Sequence, residues 1–503
     1  MSIYKPCDIR GNVATQLTPE LYRRWGHALG YQLEPGAKFV IGGDIRASTP
    51  EFLSALSDGL CEAGVDVVDL GLLPTPMIYY AWRRLHAAGC AIVTASHQAF
   101  DMNGLKWLIG PHPPTPEEIA ALEHQAEVCN GASGATGGSS TRAAGGTGRQ
   151  AASGTPGTGR QAGHHAPRGR GTGTRSTPRT LDVSFDYVAW LQETWVDALE
   201  AQRHVVLDPM YGCCAARARR YLHAIFPQCL FSAIHDTPDT SFAGGSPDCS
   251  QPQLLEELCE AVYRHRAHVG IAFDGDGDRL ALVDNEGMPL SAEETTWVFL
   301  QSFGQQLEGE RFIYDLKFSD RIPEAAQELG AEPLVERSGH TFLRSRMLRM
   351  DALFGAEVSG HYFFRALEGG EDALFAACWM IAYLARCRTT LAHLRRECPP
   401  VYMTPGLRVP LGPDQQQSIL HKVRTAWSQF PQNTLDGVRI DTPGGWVLLR
   451  SSVTEPALTF RFESSNWHNL DDLVEHFCAA LPEVGETLWS HYEAAMGTAG
   501  PRE

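Results

Sequence analysis

A serine and a histidine stand side by side where an apolar run ends, in residues 91–97 (AIVTASH). Such a run predicts a buried strand that leads into a turn at Ser96. A serine hydroxyl is a weak nucleophile until another group takes its proton, orients it, or replaces the proton with a transferable group. Residues 103–106 (NGLK) follow closely and bring Lys106 within reach of the same turn. We therefore predict that Ser96 is the chemical centre of the molecule.

Three aspartates alternate with glycines directly after another apolar run, at Asp274, Asp276 and Asp278. Carboxylates this close repel one another unless a cation lies between them, and oxygen-only ligands favour Mg²⁺ before Ca²⁺. An EF-hand loop is excluded because it needs Gly at the position of Arg279 and Glu at the position of Asn285. An acidic surface turn is the remaining alternative, and the glycines and the preceding strand favour a metal site over it.

A carboxylate and a hydroxyl lie two residues apart at Glu357 and Ser359. In an extended chain they would point to the same side, which suits neighbouring hydroxyls of a sugar ring. On its own this pair is better interpreted as an ordinary polar turn.

Turns that carry arginine complete the candidates. Residues 450–456 (RSSVTEP) bring Arg450, Ser452 and Thr454 together after a strand, and this composition is typical of an anion-binding turn. Residues 8–11 (DIRG) predict Arg10 on a glycine turn, and residues 337–340 (RSGH) offer a second arginine with His340. Each of these last two is equally compatible with an ordinary surface turn.

The elements that must position these residues alternate along the chain. A strand at residues 38–44, a helix from Thr49 toward Gly64 and a strand at residues 65–70 predict a largely parallel sheet with crossover helices. Further strands are predicted at residues 204–209, 269–273, 312–315 and 352–355, and a helix at residues 373–385. The last hundred residues alternate like an antiparallel sheet packed on helices.

Composition sets the outer limits. A chain of 503 residues with 43% hydrophobic and 20% charged residues should hold several globular domains. No secretory signal is visible, and the most apolar helix is too short to span a bilayer, so we expect a cytoplasmic protein without membrane contact. The odd number of thirteen cysteines fits reduced thiols, and a net charge of −17 argues against nucleic acid but leaves a small anionic substrate possible.

Residues 128–181 contain no Asp, Glu or Lys, but seven Arg among many Gly, Ser, Thr and Ala. Such a segment cannot bury enough apolar surface to offset the entropy of ordering it. We predict a disordered, low-complexity insertion, and we favour a solvated insertion over an arm that binds polyanions.

Taken together, these stretches resemble the α-D-phosphohexomutase superfamily and, within it, the bacterial phosphomannomutase/phosphoglucomutase branch. Residues 94–97 with 103–106 are similar to the family's phosphoserine loop, and residues 274–279 to its Mg²⁺ loop. Residues 357–361 are similar to its sugar-binding loop, and residues 450–456 to its phosphate-binding loop. The resemblance implies four domains around a central cleft: three related α/β domains (1–127, 182–290 and 291–398) and a C-terminal α+β domain with an antiparallel sheet (399–503).

The resemblance also implies a reaction. The enzyme would interconvert hexose 6-phosphate and hexose 1-phosphate, of mannose or glucose, through phosphorylated Ser96 and a bisphosphorylated sugar. It would need Mg²⁺, held by Ser96 and the three aspartates, and hexose 1,6-bisphosphate as activator. The implied catalytic set is Ser96, Lys106, Arg10, His97, His340 and His361. The implied substrate-binding set is Arg279, Glu357, Ser359, Arg450, Ser452 and Thr454. The expected partner is a phosphosugar, and the expected state is a monomer or homodimer.

Two alternatives stay open at this point. Phosphoglucosamine mutase is disfavoured only by Val358, which is nearer to the Met of the hexose branch than to the Gln of the glucosamine branch. A weakly active phosphosugar-binding scaffold is suggested by departures from the family pattern: Cys7 for Tyr, Gly43 for Arg, Gln98-Ala99-Phe100 for Asn-Pro-Pro, and Val453 for Gly or Asn. We favour the mutase because the aspartates would only repel one another if no ion bound.

Overall fold

The structure is a computed structural model that describes residues 2–133, 177–198, 200–387, 389–452 and 456–497. Its strands form four sheets, one in each of four domains, so the predicted architecture of three α/β domains and an antiparallel fourth is confirmed. Among these described residues, no helix is long and apolar enough to cross a membrane.

Domain I is built on a six-stranded mixed sheet of order β1-β5-β4-β2-β3-β6. Its elements are β1 (Ile9–Asn12), α1 (Pro19–Tyr31), β2 (Lys38–Gly43), α2 (Thr49–Glu62), β3 (Asp66–Leu72), α3 (Thr75–Arg84), β4 (Gly89–Val93), β5 (Met102–Ile109), α4 (Pro116–Ser133) and β6 (Arg179–Thr180). All five residues of β4 are buried, as expected for an interior strand covered on both faces. The Ser96 turn leaves the end of this strand.

Domain II has a four-stranded sheet of order β10-β9-β7-β8. Its elements are α5 (Ser184–Thr194), β7 (His204–Asp208), α6 (Ala218–Ile225), β8 (Leu230–Ala233), α7 (Glu256–His265), β9 (Val269–Phe273) and β10 (Leu280–Asp284). Strands β9 and β10 form an antiparallel pair, and the aspartate loop is the connection between them.

Domain III has a five-stranded sheet of order β12-β11-β13-β14-β15. Its elements are α8 (Ala292–Phe303), β11 (Arg311–Asp315), α9 (Arg321–Glu328), β12 (Glu332–Glu336), α10 (His340–Met350), β13 (Phe354–Ala356), β14 (Tyr362–Phe364), β15 (Gly370–Glu371), α11 (Ala373–Arg386) and α12 (Leu391–Glu397). Helix α11 begins where the side chain of Asp372 accepts a hydrogen bond from the Phe375 N–H, which caps its first turn.

Domain IV is an antiparallel sheet covered by helices. Its elements are β16 (Tyr402–Met403), β17 (Leu407–Pro410), α13 (Pro413–Ala426), β18 (Gln432–Asn433), β19 (Val438–Thr442), β20 (Gly445–Ser451), β21 (Ala457–Ser464), α14 (Trp467–Ala479) and α15 (Gly485–Gly497). Strand β21 pairs with β16, β17 and β20, so it is the centre of this domain.

The hydrophobic core divides unevenly among the domains. One continuous cluster runs through domains I, II and III, with α11 buried in it, whereas domain IV has a core of its own. A small cluster around Leu316, Trp446 and Leu448 joins domain IV to domain III. Domains I to III therefore share buried apolar surface that domain IV does not share.

Two predictions need revision. The chain at residues 8–11 is not a glycine turn: Ile9–Asn12 is strand β1, paired with β5, so Arg10 extends from a strand. Regular structure also enters both ends of the range 128–181, since α4 runs to Ser133 and Arg179–Thr180 pair with β3. Residues 134–176 of that predicted insertion lie outside the described residues.

Candidate active site

The Ser96 turn has an unusual backbone. Ser96 is fully buried with φ of 54°, a left-handed conformation that few residues other than glycine adopt. The Ser96 N–H donates to Thr94 Oγ1 at 2.8 Å, which ties the turn to the end of β4. The hydroxyl donates to Asp274 Oδ2 at 2.9 Å and lies 3.3 Å from His97 Nδ1. The predicted nucleophile and the aspartate loop, 178 residues apart in sequence, are thus in direct contact.

The three aspartates converge as predicted, with one carboxylate oxygen of each within 4.8 Å of the others. Asp274 Oδ1 accepts hydrogen bonds from the N–H groups of Gly277, Asp278 and Arg279, which curls the loop. Asp276 Oδ1 is buried and accepts no hydrogen bond, whereas buried Asp278 Oδ1 faces His361 Nε2 at 3.2 Å. Three buried carboxylates that converge, one of them with an oxygen that has no donor, fit a hard divalent cation.

Glycine is required in this loop for steric reasons. A Cβ on Gly275 would lie 2.6 Å from the backbone oxygen of Ser96, so a side chain there would push the serine turn away. Gly277 has φ of 77°, and a Cβ on it would lie 2.7 Å from Cys214 Sγ. Gly275 thus lets domain II pack directly on the serine turn of domain I, and Gly277 lets the loop pack on Cys214 within domain II.

Lys106 is held between two of the aspartates. Its Nζ lies 2.9 Å from Asp276 Oδ2 and 2.6 Å from Asp278 Oδ2. Burial opposes the charge, but the two carboxylates outweigh it and raise the pKa of Lys106 well above its usual value. Burial and repulsion by Asp278 and Asp276 together raise the pKa of Asp274. Even with Lys106 in place, the negative charge at Asp274 is not fully balanced by nearby positive charge.

The loop after β13 brings Glu357, Ser359 and His361 together. Residues 357–360 form a turn in which the Gly360 N–H donates to the Glu357 carbonyl, so the chain is not extended there. Ser359 Oγ lies 2.8 Å and Glu357 Oε2 3.5 Å from His361 Nδ1, so the turn still places both side chains beside this ring. His361 Nε2 is 3.2 Å from Asp278 Oδ1, and this contact with Glu357 nearby raises the pKa of His361 to about 9 against the effect of burial.

The remaining predicted residues surround this centre. His340 stacks on His361 with ring centres 5.8 Å apart, and burial lowers the pKa of His340 to about 3. Arg10 pairs with Asp8 at 2.7 Å. Arg279 Nε lies 3.6 Å from Asp274. Arg450 Nε lies 3.1 Å from Asp436.

The predicted phosphate-binding loop begins at the end of β20. Arg450 and Ser451 are the last residues of that strand, and the Ser452 N–H donates to the Ala457 carbonyl at 2.8 Å. Val453 and Thr454 lie outside the described residues, so the predicted role of Thr454 stays a prediction.

A cavity of about 350 Å³ opens above these groups and is lined by all four domains. Its walls include Arg10 from domain I, Arg279 from domain II, His340, Glu357 and His361 from domain III, and Arg450 from domain IV. Ser96, Lys106 and the three aspartates lie beneath these walls and are almost completely buried. The structure thus brings the predicted serine, metal and sugar loops together at one cleft.

Sequence reasoning missed a buried polar network under the aspartates. Asp276 Oδ2 accepts from Thr75 Oγ1 at 2.8 Å and lies 3.1 Å from Thr94 Oγ1. Asp44 Oδ2 accepts from Thr94 Oγ1 at 2.8 Å. Thr75 could have been found, because it follows strand β3 at the sheet edge where the loops of an α/β domain build sites.

Three family models match the chain and together cover more than half of it. They describe phosphoglucomutase/phosphomannomutase α/β/α domain I at residues 2–128, domain II at residues 186–287 and domain III at residues 292–402. The chain is 28% identical over 492 residues to a phosphomannomutase/phosphoglucomutase of Pseudomonas aeruginosa, with 97% of each chain covered. It is 26% identical to a phosphoglucomutase of Neisseria gonorrhoeae over 97% of this chain and 98% of that one.

A solved structure agrees. A phosphoglucomutase/phosphomannomutase family protein from Burkholderia thailandensis superposes with a TM-score of 0.80 at 27% identity, covering 96% of this chain and 97% of that one. The fold and the site define a phosphohexose mutase of the isomerase class. The chain belongs to the phosphoglucomutase/phosphomannomutase family.

Proposed function

We propose that the protein interconverts hexose 6-phosphate and hexose 1-phosphate, with mannose or glucose as the sugar. The observation that carries the proposal is the 2.9 Å contact between Ser96 Oγ and Asp274 at the bottom of a cleft lined by four domains. A nucleophile placed among buried carboxylates and cations suits the transfer of a charged phosphoryl group better than it suits acyl transfer.

In the proposed reaction, Ser96 carries a phosphoryl group in the resting enzyme. A sugar hydroxyl attacks the phosphorus, so the bond from phosphorus to Ser96 Oγ breaks as a new bond to the sugar oxygen forms. The hydroxyl proton passes to a base in the cleft wall, and we assign this role to the ring of His340. The bisphosphorylated sugar then reverses, Ser96 takes back the other phosphate, and the proton returns.

The cavity walls supply the binding groups. Arg450 is a planar cation that can hold the phosphate that is not reacting, and Glu357 can accept hydrogen bonds from sugar hydroxyls. Arg10 and Arg279 face the same space and can balance phosphate charge. Lys106 and Arg279 stabilise charge nearer the serine.

We propose that Asp274, Asp276 and Asp278 hold Mg²⁺ together with Ser96, since the three buried carboxylates converge within 4.8 Å and Asp276 keeps a buried oxygen without a donor. Bound Mg²⁺ neutralises charge on a transferring phosphoryl group. Hexose 1,6-bisphosphate is the proposed activator, because it can phosphorylate Ser96 whenever the resting phosphate has been lost.

The test is a coupled assay with mannose 1-phosphate, glucose 1-phosphate and glucosamine 1-phosphate in parallel, beside mass analysis of the Ser96 peptide. We expect turnover of mannose or glucose 1-phosphate, and a phosphoryl group on Ser96 after incubation with glucose 1,6-bisphosphate. The Ser96→Ala protein should show neither. Turnover of glucosamine 1-phosphate alone would select the other mutase, and an unphosphorylated, inactive wild type would favour a phosphosugar-binding scaffold.

A further inference from the structure

Arg46 lies directly behind the serine turn and has no place in the reaction proposed above. Its side chain is completely buried, as is that of its neighbour Asp44. A guanidinium carries five N–H donors and keeps its charge in proteins, so a buried one needs acceptors on every side.

Arg46 uses all five donors. Its Nε donates to Asp44 Oδ2 at 2.8 Å. The other four N–H groups donate to backbone carbonyls of the serine loop, at Ser96 (2.8 Å), Gln98 (2.7 Å), Ala99 (2.5 Å) and Met102 (3.1 Å). One side chain therefore binds four of the seven residues from 96 to 102.

The surroundings hold the guanidinium itself in place. Asp44 balances its charge and accepts further hydrogen bonds from Thr49 and Thr94. The ring of Phe242, from domain II, covers the guanidinium with its centroid 4.9 Å from Cζ. Contacts with Asp44 of domain I and Phe242 of domain II thus hold Arg46 in place independently of the serine loop.

The hydrogen bonds from Arg46 can offset the conformational strain of the Ser96 backbone. A residue other than glycine in the left-handed region costs on the order of 1–3 kcal/mol and persists only where its surroundings determine it. Ser96 is in that region. Residues 98–100 (QAF) contain no proline that would restrict the loop by itself. Instead, Arg46 restricts the loop by binding four of its backbone carbonyls.

We propose that Arg46 is a positioning residue for phosphoryl transfer, which keeps Ser96 in one orientation as it loses and regains its phosphoryl group. The inference rests on the proposed mutase function. Displacing a nucleophile by about 1 Å can cost about 100-fold in rate. The groups that bind the sugar phosphate come largely from other domains, so the loss should fall on kcat and not on KM.

The test compares Arg46→Lys with wild type, using whichever hexose 1-phosphate the wild type turns over. Lysine can keep the ion pair with Asp44, but a point charge with three donors cannot bind the four carbonyls. We expect kcat to fall about 10- to 100-fold with KM changed by less than about threefold. In Arg46→Ala, millimolar guanidinium chloride should restore part of kcat, which a purely structural defect would not allow.

Arg217→Lys is the matched control. Arg217 also donates to two backbone carbonyls, those of Cys213 and Leu72 at 3.0 Å each, but it does not contact the serine loop. The Arg217→Lys substitution should also lower the melting temperature, but its kcat should stay within about twofold of wild type.

A folded Arg46→Lys protein with wild-type kcat would overturn the inference while leaving the mutase function intact. An inactive wild type would overturn both. If neither Arg46 variant folds, hydrogen exchange of the wild type decides. The amides of Gln98 and Met102 should exchange at least about 100-fold more slowly than in a free peptide, and free-peptide rates would refute a held loop.

Discussion

At the residue scale, chemistry depends on atoms that are left without ordinary partners. Asp276 Oδ1 accepts no hydrogen bond although it is buried, and Asp278 Oδ1 meets His361 Nε2 at 3.2 Å. A buried anionic oxygen without a donor is costly unless a cation binds it. The aspartate loop is therefore adapted to bind an ion at some expense in stability.

Asp276→Asn should weaken Mg²⁺ binding and reduce Mg²⁺-dependent turnover at least about 100-fold, because one anionic oxygen is lost. Isothermal titration with Mg²⁺ and the coupled assay measure both effects. Asp284→Asn at the far end of β10 is the control, and it should leave Mg²⁺ affinity unchanged. Unchanged turnover in Asp276→Asn would place the metal elsewhere.

Gly275→Ala should reduce kcat by about 100-fold, because its new Cβ would lie 2.6 Å from the Ser96 carbonyl and displace the turn. Gly245→Ala, also in domain II, has its nearest neighbour at 3.5 Å and should have wild-type activity. Equal activities of the two variants would show that the serine turn tolerates displacement.

The aspartates could be proposed from residue types alone, because carboxylates at every second position after a buried strand repel one another unless they share a cation. Ser96 and Lys106 could be proposed because they lie in or close to the turn after another buried strand. The turn at residues 357–360 was not predicted, since a period of two holds only in extended chain, yet Glu357 and Ser359 both lie against His361. Arg46 was missed because its partners are backbone carbonyls, which every residue has and no sequence pattern marks.

At the element scale, apolar runs predicted the interior strands well: β9 has the bounds predicted, and β7 ends within one residue of its prediction. Strand β6 was missed because it has two exposed residues, and its pairing with β3 supplies what its composition does not. Buried strands are thus readable from sequence, and short edge strands are not.

His235, just after β8, contacts Asp208 at the end of β7 and should make the stability of domain II depend on pH. His235 Nδ1 lies 3.0 Å from Asp208 Oδ1, and this hydrogen bond, opposed by partial burial, raises the pKa of His235. The protonated pair stabilises the fold fully below the unfolded-state pKa of 6.5, and that stability is lost as pH rises through the higher folded-state pKa.

Urea unfolding of wild type and His235→Gln measures this effect. The difference in free energy of unfolding should be about 1 kcal/mol larger below about pH 6 than above about pH 9. A difference that is constant with pH would mean that His235 does not charge in the folded protein.

At the scale of the whole molecule, domain IV is attached differently from the others. Domains I to III share one apolar core, but domain IV has its own core and meets domain III through one small apolar cluster and several polar contacts. Glu463 accepts from Ser319 Oγ, from the Asp320 N–H at 3.1 Å and from Trp446 Nε1 at 2.5 Å. Polar interfaces of this kind allow relative domain motion. Because Arg450 of domain IV forms part of the cleft wall, we expect substrate to enter when domain IV moves away.

Glu463→Ala should loosen this attachment, because it leaves the donors of Ser319 and Trp446 without their acceptor. We expect KM for the sugar phosphate to rise about tenfold, since Arg450 on domain IV is held less well over the cleft, with kcat reduced less. Glu483→Ala is the control, since its partner Lys422 lies within domain IV. Calorimetry should show a separate, earlier transition for domain IV in Glu463→Ala only, and a single unshifted transition there would contradict the expectation.

The residues that line the cavity extend from Arg10 in domain I to Arg450 in domain IV, so a fragment of the chain would lack some of the proposed catalytic or binding residues. A chain cut short before domain IV would keep Ser96 and the three aspartates but lack Arg450, so we expect it not to turn over a phosphosugar. Activity in the proposed reaction therefore depends on all four domains being folded together.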